Sequence, residues 1–600
     1  MFRAAADADG AVVDGADADG AVAVAVALDA DGAVAVDVAL GADGAVAVDV
    51  DAVADLPEAL SAVSLAPAFG TAAAERLRFP PPGAETCFSS FSITLEALPA
   101  EMNASELLAA VDLGSNSFRL LIGRVRQSAL GAQILPLDIL KETVRLAAGL
   151  RPDGHLDAES QQRAILALNR FAERLRSFGP NRVRAVATNT FRVAANAKHF
   201  LRGAEAALGF PIEVISGVEE ARLIYEGAAH ELPRDGERRL VVDIGGGSTE
   251  CILGTNQQPE RLESCYVGCV SWTRRYFPDG AVSRTAMEEA IAHARAALGA
   301  VGVQFRAKGW SYAVGTSGTA KALSDLAQIN IQREMLDRLA LAELQELLLK
   351  SGHVDRFDAK GLRADRRPVI AGGIAVMRAV FEEFGLETLR YCPAALREGV
   401  LYDLLGRETG QDMRAITVDA LQSRYGVDRA HADRVAETAV ALFDQVARGV
   451  REELLAERTV LGWAARLSEV GFSIAQADYH KHSGYILLHS EMPGFSMSEK
   501  TRLANLALGQ TGSLRKLQGL LHRERDWLMV LSLRIAVILH RRRDGEEVLL
   551  PALFARNREV RIELSAVWLA RHPLSHASLR AEIDAWRAAR VFDAIALAPI

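Results

Sequence analysis

The pattern of apolar and polar positions changes near residue 106, where short apolar runs begin to alternate with helical periodicity. Leu108–Val111 is an apolar run that ends at an aspartate, whereas residues 157–178 carry apolar side chains at the spacing of one helix face. The β-branched segments Val183–Ala187 and Ile212–Ile215 follow, and a second helix is predicted at 218–231. This strand–helix alternation predicts a layered α/β domain.

A second unit repeats this arrangement from about residue 239. Leu240–Val242 leads into Asp243, a glycine turn and the strand-like segment Thr249–Leu253, just as the earlier run leads into Asp112 and its own turn. The duplication predicts two related lobes that face each other. Beyond Gly406 the pattern is almost entirely helical, which predicts a separate helical module.

Residues 1–101 differ from the rest of the chain. Asp-Ala-Asp-Gly occurs at 7–10, 17–20 and 29–32, between runs of alternating Ala and Val. Asp-x-Asp-Gly loops can bind calcium, but these lack the twelfth-position Glu and the flanking helices of an EF-hand. We expect a low-complexity acidic tail, either disordered or weakly strand-forming. The alternative is that the tail is not naturally translated and that the protein starts at Met102.

The predicted domains are therefore this tail at 1–101, a first α/β lobe at 102–233, a second α/β lobe at 234–405 and the helical module at 406–600. The formal net charge of −9 is concentrated in the first 60 residues, which hold thirteen acidic groups against a single basic one. Because the remainder is close to neutral, a protein that coats nucleic acid or anionic lipid is not expected.

Cysteine content and hydropathy indicate the compartment. The five cysteines form no C-x-x-C pair and are odd in number, so a reducing, cytoplasmic setting is favoured over a disulfide framework. No signal peptide is recognisable. The apolar segment Trp527–His540 is too short to span a bilayer and contains Arg534. We expect a buried helix there and no transmembrane segment.

Two glycine-rich turns follow the aspartates that end the predicted strands. Glycine and small hydroxyl residues let backbone N–H groups approach a phosphate closely and form an anion nest. Asp112 and Asp243 repel phosphate, but each can hold a divalent cation that neutralises it. Each turn alone is equally consistent with a hairpin, whereas the repeated pair indicates a phosphate clamp. The candidate phosphate-binding residues of the two turns are Gly114, Ser115, Asn116, Ser117, Gly245, Gly246, Gly247 and Ser248.

A third turn precedes a helix predicted at 320–328. Helix N-termini bind anions, which makes Gly315, Ser317 and Gly318 further candidates for phosphate binding. A strand-to-helix turn with a Ser/Thr cap has the same sequence signature, so both interpretations stay open.

Six longer motifs carry a family resemblance: AVDLGSNSFRLLIGRV, VISGVEEARLIYEG, VVDIGGGSTECILG, VGCVSW, VGTSGTAKAL and ALREGVLYDLL. Their order resembles that of the exopolyphosphatase and guanosine pentaphosphate phosphatase family, within the wider group of sugar kinases, actin and heat-shock-protein ATPases. The resemblance runs from about Leu108 to the C-terminus. It implies two actin- or ribonuclease-H-like lobes around a phosphate cleft, followed by a helical module like the HD phosphohydrolases.

The resemblance also implies that water cleaves a terminal phosphoanhydride bond with the help of Mg²⁺. From the Glu-Glu-Ala-Arg motif we assign the catalytic base to Glu220, with Glu219 as the second choice. The alternative is that both are solvated glutamates favoured by the helix dipole. Asp112 and Asp243 match the family's magnesium ligands, and Glu250 is a weaker addition.

Two arginine motifs have counterparts in the family. Arg192 matches an arginine near the family's active cleft and is a candidate for pairing with phosphate oxygens, the alternative being a surface salt bridge. Arg397-Glu398-Gly399 matches a signature that we assign to packing between the lobes.

The helical module departs from the pattern of active HD enzymes. Ser468-Glu469 stands where an adjacent His-Asp pair would hold metal, so no second hydrolase centre is expected. His480, His482 and His489 are assigned to the surface or to packing. The cluster Arg541–Arg543 is a candidate contact for a polyanion, although solvated helix-end arginines are favoured. Related proteins often pair through this region, so a homodimer is expected.

We therefore interpret the protein as an exopolyphosphatase that uses Mg²⁺ to release orthophosphate from the end of inorganic polyphosphate. A guanosine pentaphosphate phosphatase shares these motifs and is the nearest alternative. The Glu-Glu-Ala-Arg motif argues against a sugar-kinase-type phosphotransferase. A non-catalytic phosphate- or alarmone-binding regulator need not retain Glu220, Asp112 and Asp243, which argues against that class. No nucleic-acid partner is expected.

Overall fold

The computed structural model describes residues 3–7, 10–14, 23–28, 34–39, 107–128, 131–449, 451–545 and 548–600. The chain divides into two compact units, Met1–Asn103 and Ala104–Ile600. In the first unit, β1 (Arg3–Asp7), β2 (Gly10–Asp14), β3 (Ala23–Leu28) and β4 (Val34–Ala39) form an antiparallel sheet in sequence order. The Asp-Ala-Asp-Gly repeats lie wholly or partly outside the described residues.

The second unit begins with a five-stranded sheet in the order β7-β6-β5-β8-β9. β5 (Leu107–Leu113), β6 (Phe118–Ser128) and β7 (Gly131–Glu142) are antiparallel neighbours, whereas β8 (Val183–Ala187) and β9 (Ile212–Val214) continue the sheet parallel to β5. The apolar face of the sheet packs on amphipathic helices, whose buried residues fill the core. These helices span Ala158–Leu175, Asn189–Val193 and Ala197–Leu208, whereas the buried residues of the helix Gly217–Glu231 belong to a second core.

A six-stranded sheet repeats this order farther along the chain, as the duplicated sequence pattern predicts. The strands are β10 (Arg238–Ile244), β11 (Thr249–Thr255), β12 (Gln258–Cys265), β13 (Tyr312–Thr316), β14 (Leu336–Asp337) and β15 (Thr388–Tyr391), in the order β12-β11-β10-β13-β15-β14. Again three antiparallel strands are followed by two parallel ones, with β14 added antiparallel at the edge. The accompanying helices span Cys269–Tyr276, Arg284–Lys308, Ser317–Leu326, Arg338–Ser351, Ile370–Phe384 and Leu396–Glu408.

The two sheets share a core built around the helices Gly217–Glu231 and Leu396–Glu408. A side chain on Gly399 would collide with the carbonyl group of Leu223, and one on Gly227 would collide with that of Ala395. Glycine at both positions therefore lets the helix backbones touch. This contact agrees with the packing role predicted for the Arg-Glu-Gly signature at its glycine.

The rest of the chain is mainly helical, as predicted, with helices at Met413–Arg424, Arg429–Val446, Arg451–Arg466, Tyr479–His489, Met497–Gly509, Glu524–Leu539, Ala566–Arg571 and Pro573–Ala589. The prediction of an almost purely helical module is incomplete, because β16 (Ala552–Arg556), β17 (Glu559–Leu564) and β18 (Ala594–Pro599) form a three-stranded sheet. The helix Glu524–Leu539 is buried, and Arg534 within it makes a two-pronged ion pair with the buried Glu582. Among the described residues, no helix is both long and apolar enough to cross a membrane.

Candidate active site

A cavity of about 100 Å³ lies where β5 and β10 end and their glycine turns meet. A Cβ on Gly247 would lie 2.5 Å from Oδ1 of Asn189, at the start of the helix Asn189–Val193. The turns also approach each other closely, since a Cβ on Gly246 would lie 2.9 Å from Cβ of Ser115. Only glycine permits this approach, because any side chain would push the turns apart. The predicted residues that line the cavity are Asp112, Gly114, Ser115, Asn116, Ser117, Glu220, Asp243, Gly245, Gly246, Gly247, Ser248, Ser317 and Gly318.

Several polar groups at this cavity have no hydrogen-bond partner among the residues that the structure describes. Nδ2 of Asn116 and Nδ2 of Asn189 are buried donors without a hydrogen bond. The helix Ser317–Leu326 begins at the cavity, and its first residue, Ser317, has a φ of 61°, a conformation that a non-glycine residue adopts at a cost. Buried donors without acceptors and a helix N-terminus both favour an anionic ligand.

Three arginines, Arg119, Arg366 and Arg397, also line the cavity. None of them donates a side-chain hydrogen bond to another described residue; their nearest acidic contacts are Arg397–Glu398 at 3.4 Å and Arg366–Asp365 at 3.8 Å. Burial and the neighbouring Arg397 lower the pKa of Arg119. Guanidinium groups whose donors are free suit the oxygens of a phosphate.

These arginines were not among the predicted site residues, and Arg397 was assigned to packing. One of them had a readable signal. A hairpin with its turn at Gly114–Ser117 pairs Asp112 with Arg119 across the two strands, and the structure has this register. Arg366 and Arg397 lie far along the chain, and no local pattern points them toward the cavity.

Glu220 lies in the first turn of the helix Gly217–Glu231, which Ser216 caps by accepting a hydrogen bond from the Glu219 amide at 3.1 Å. Its carboxylate lines the cavity and accepts a hydrogen bond from Nη1 of Arg192 at 2.8 Å. Burial raises the pKa of Glu220; Arg192 opposes this shift and the nearby Asp243 adds to it. A carboxylate with a raised pKa and access to a cavity is equipped to accept a proton.

Arg192 lies behind Glu220 and is absent from the cavity lining. It also donates to the carbonyl of Ile215 at 3.0 Å, just before the helix begins. The structure thus brings Arg192 to the carboxylate of Glu220, whereas the sequence predicted a phosphate contact.

Glu219 and Gly315 lie away from the cavity. The Glu219 carboxylate accepts two hydrogen bonds of 2.8 Å from Arg222. Neither Glu219 nor Gly315 lines the cavity. A Cβ on Gly315 would lie 2.5 Å from a methyl carbon of Leu389 and 2.8 Å from that of Ala320, so this glycine serves packing.

Two of the three predicted metal ligands line the cavity, and the third does not. Asp112 and Asp243 line the cavity, and Thr316 Oγ1 donates to Asp243 at 2.7 Å. Burial raises the pKa of Asp112 to about 7, against the opposing effects of Arg119 and Arg397. Burial also raises the pKa of Asp243 and, with the help of Glu220 and Asp243, that of Glu250.

Glu250 is buried outside the cavity lining, where it accepts a hydrogen bond from Ser264 Oγ at 2.8 Å, and its Oε2 has no partner. In the part of the chain that the structure describes, no three His, Cys, Asp or Glu side chains are grouped so that they could hold a metal ion by themselves. Any cation at this cavity therefore needs ligands from water or substrate as well.

In the helical module, the Ser468-Glu469 pair is engaged with other protein groups. The Ser468 carbonyl accepts hydrogen bonds from Ser483 Oγ and Gln510 Nε2, both at 2.6 Å. Glu469 forms an ion pair with Arg543. His480 is buried, which agrees with the packing position and not with the surface position among the two predicted for it.

This chain is similar to proteins of one known family. The model of the Ppx/GppA phosphatase family matches residues 124–408, and that of Ppx/GppA phosphatase domain III matches residues 413–583. An exopolyphosphatase-like protein of known structure is 26% identical, with a TM-score of 0.45 over 50% of this chain and 99% of its own. An exopolyphosphatase from Cytophaga hutchinsonii is 21% identical, with a TM-score of 0.46 over 50% of this chain and 98% of its own. An Aquifex aeolicus member of the Ppx/GppA family is 24% identical, with a TM-score of 0.42 over 50% and 98%.

Proposed function

Because this chain belongs to the Ppx/GppA phosphatase family, we propose that it removes orthophosphate from the end of inorganic polyphosphate by hydrolysis. The observation that carries this proposal is the set of groups around one cavity: three arginines, Arg119, Arg366 and Arg397, which donate no side-chain hydrogen bond to a described residue, and Glu220 with a raised pKa. Positive groups and a base around a small cavity are what in-line attack of water on a terminal phosphate requires.

In this reaction Glu220 accepts the proton of the attacking water. A water oxygen attacks the terminal phosphorus, its proton passes to the Glu220 carboxylate, and the bond from that phosphorus to the bridging oxygen breaks. The shortened chain leaves with the electron pair of that bond. Arg192 supports this step by donating a hydrogen bond of 2.8 Å to one oxygen of the Glu220 carboxylate. The other carboxylate oxygen is left for the water.

The same cavity offers groups for the phosphate oxygens. The guanidinium groups of Arg119, Arg366 and Arg397 and the unpaired amides of Asn116 and Asn189 are preorganised donors. Because they are already desolvated, they stabilise the charge that develops in the transition state without further reorganisation.

The residues present also fit a magnesium ion. Asp112 Oδ1 is buried without a hydrogen-bond partner, and burial raises the pKa values of both Asp112 and Asp243. Mg²⁺ prefers a few carboxylate ligands together with waters and substrate phosphates, so a cage of three protein ligands is not required. Asp112 and Asp243 would hold the ion, which when bound supplies positive charge to the phosphate oxygens.

The test is phosphate release by the purified protein with Mg²⁺, comparing long-chain polyphosphate with guanosine pentaphosphate at matched concentrations of terminal phosphate. Faster release from polyphosphate supports the proposal, and faster release from the nucleotide makes the protein a guanosine pentaphosphate phosphatase. Release from neither substrate points to a non-catalytic phosphate-binding protein.

The Glu220→Gln variant tests the base in the same assay. It keeps the size of the side chain and removes its basicity, so turnover should be lost while polyphosphate binding persists. Glu226→Gln is the matched control, because Glu226 lies on the same helix and pairs with His230 at 3.2 Å outside the cavity. Hydrolysis by Glu220→Gln at the rate of this control would show that another group is the base.

A further inference from the structure

A buried cluster of charged side chains surrounds Glu219, the neighbour of the proposed base. Its members come from strands and helices of the first lobe and from the helix Leu396–Glu408. They include equal numbers of arginines and carboxylates. We call it the charge cluster; it consists of Arg184, Arg222, Arg407, Glu213, Glu219 and Asp403.

The contacts within the charge cluster are close and well satisfied. Asp403 accepts hydrogen bonds from Arg184 Nη1 at 2.7 Å and from Arg407 Nε at 3.1 Å, and it also pairs with Arg222. The surrounding arginines hold the pKa of Asp403 far below its usual range. Removing one charge from such a set leaves another buried without a partner, so the cluster resists rearrangement.

The helical module reaches this cluster at Gly494, whose carbonyl accepts a hydrogen bond from Nη2 of Arg407 at 3.4 Å. The amide of Gly494, between the helices Tyr479–His489 and Met497–Gly509, donates to Oε2 of Glu219 at 2.8 Å. The loop around Gly494 is itself anchored, since the Pro493 carbonyl accepts from Thr417 Oγ1 at 2.7 Å. Glu219 is therefore held from inside its own lobe by Arg222 and from the module by Gly494.

Glu219 and Glu220 are consecutive residues of one helical turn, so their carboxylates leave the helix in different directions. The amide of Glu219 bonds to Ser216 Oγ at 3.1 Å and that of Glu220 bonds to the Ser216 carbonyl at 2.9 Å. A displacement of Glu219 must therefore move the backbone that carries Glu220. Because the Glu220 carboxylate is held by Arg192 over a single hydrogen bond of 2.8 Å, a small displacement changes its approach to the attacking water.

We propose that the Gly494–Glu219 hydrogen bond makes the helical module a positioning element for Glu220. This inference rests on the proposed function in one respect, namely that Glu220 is the catalytic base. Glu219 is then a positioning residue that transmits the placement of the module to the cavity.

The test is a double-mutant cycle on the full chain with Gly494→Ala, Glu219→Gln and both together. Gly494 has a φ of 87°, and a Cβ there would lie 2.9 Å from the Arg414 amide nitrogen, so alanine must displace this loop. Each single variant should lower kcat roughly ten- to a hundredfold, as misplacement of a catalytic group does, with KM little changed. Because both variants break the Gly494–Glu219 contact, the double variant should lose less activity than the product of the two single losses.

Two controls separate positioning from general damage. Gly519→Ala strains a glycine with a φ of 84° that has no neighbour within 4 Å, and Glu582→Gln breaks a buried pair with Arg534 far along the module. Both should keep the kcat of the folded wild-type protein. The proposal is overturned if the controls lose as much activity as Gly494→Ala, or if the two losses in the cycle multiply.

Hydrogen exchange of the peptide that spans residues 216–224 provides a readout independent of turnover. Gly494→Ala and Glu219→Gln should both increase exchange there, and Glu582→Gln should not. If the wild-type protein hydrolyses neither substrate, the proposed function fails, yet this measurement still decides whether the module restrains the helix start. Unchanged exchange in both variants would refute the coupling even in an active enzyme.

Discussion

Replacing Arg119 by methionine should weaken the productive binding of the terminal phosphate. Arg119 lines the cavity, and it makes no side-chain hydrogen bond to any residue that the structure describes. Asp112 lies directly across the two antiparallel strands, and its negative charge raises the pKa of Arg119 against the effects of burial and Arg397. Arg119→Met keeps the apolar stem of the side chain but removes the charge and every donor.

The expected size of the effect follows from the number and type of bonds lost. A hydrogen bond to a charged group contributes about 1.5–3 kcal/mol, which corresponds to a roughly 10- to 150-fold decrease in kcat/KM. Losing Arg119 also removes a charge that lowers the pKa of Asp112, so the decrease should lie toward the upper end. Arg119→Lys should recover part of the activity, because it restores the charge without the planar fork of donors.

The assay is the initial rate of phosphate release across a range of polyphosphate concentrations at fixed ionic strength. Arg124→Met is the matched control, since Arg124 lies on the same strand, β6, and is absent from the cavity lining. This control should change kcat/KM by no more than about threefold, as expected for an unpaired charge near the surface. If Arg119→Met falls within the same range as the control, Arg119 does not contact the phosphate and the proposed cleft is wrong.

Two further predictions concern the cation and the helical module. Asp243→Asn should raise the Mg²⁺ concentration needed for half-maximal phosphate release, because it removes a carboxylate charge that Thr316 orients at 2.7 Å; an unchanged titration would exclude Asp243 as a ligand. Burial and the nearby Lys516 lower the pKa of His480 from 6.5 to about 4. The unfolded chain therefore binds a proton at this side chain more readily than the folded protein does, and the free energy of unfolding decreases as the pH falls from 6.5 toward 4. The loss should be about 1 kcal/mol near pH 5.5, and thermal melts at neutral and acid pH should show a smaller acid shift for His480→Gln; an equal shift in both proteins would contradict the assignment.

The part of the site that depends on local sequence could be predicted well. An apolar strand, an aspartate, a glycine turn and a second strand occur twice, and the structure brings both turns to one cavity with Asp112 and Asp243 beside it. The hairpin register that pairs Asp112 with Arg119 was also available, because a turn at Gly114–Ser117 fixes which residues face each other. Arg119 itself lies beyond the glycine turn, so the turn motif alone does not include it.

The part that depends on distant segments could not be predicted in the same way. Arg366 follows a loop in the second lobe and Arg397 lies in the first turn of the helix Leu396–Glu408, so only the tertiary fold brings their guanidinium groups together. The small sheet of the helical module is a different case. Glu559–Leu564 alternates polar and apolar residues strictly, which is a strand signal, but the helical composition around it hid the pattern.

The motif alone does not show which of the two neighbouring glutamates, Glu219 or Glu220, lines the cavity. Both lie in the first turn of one helix, where the dipole favours either carboxylate, and no local pattern says which of them faces the substrate. The tertiary contacts distinguish them: Gly494 from the helical module, together with Arg222 one turn along the helix, binds the carboxylate of Glu219, whereas Glu220 reaches the cavity and Arg192. Since the same contacts that withdraw Glu219 from the cavity also fix the backbone of Glu220, the motif needs both glutamates for different reasons. A chain that kept Glu220 but lost Glu219 would retain the proposed base without the restraint that we infer from the Gly494–Glu219 hydrogen bond.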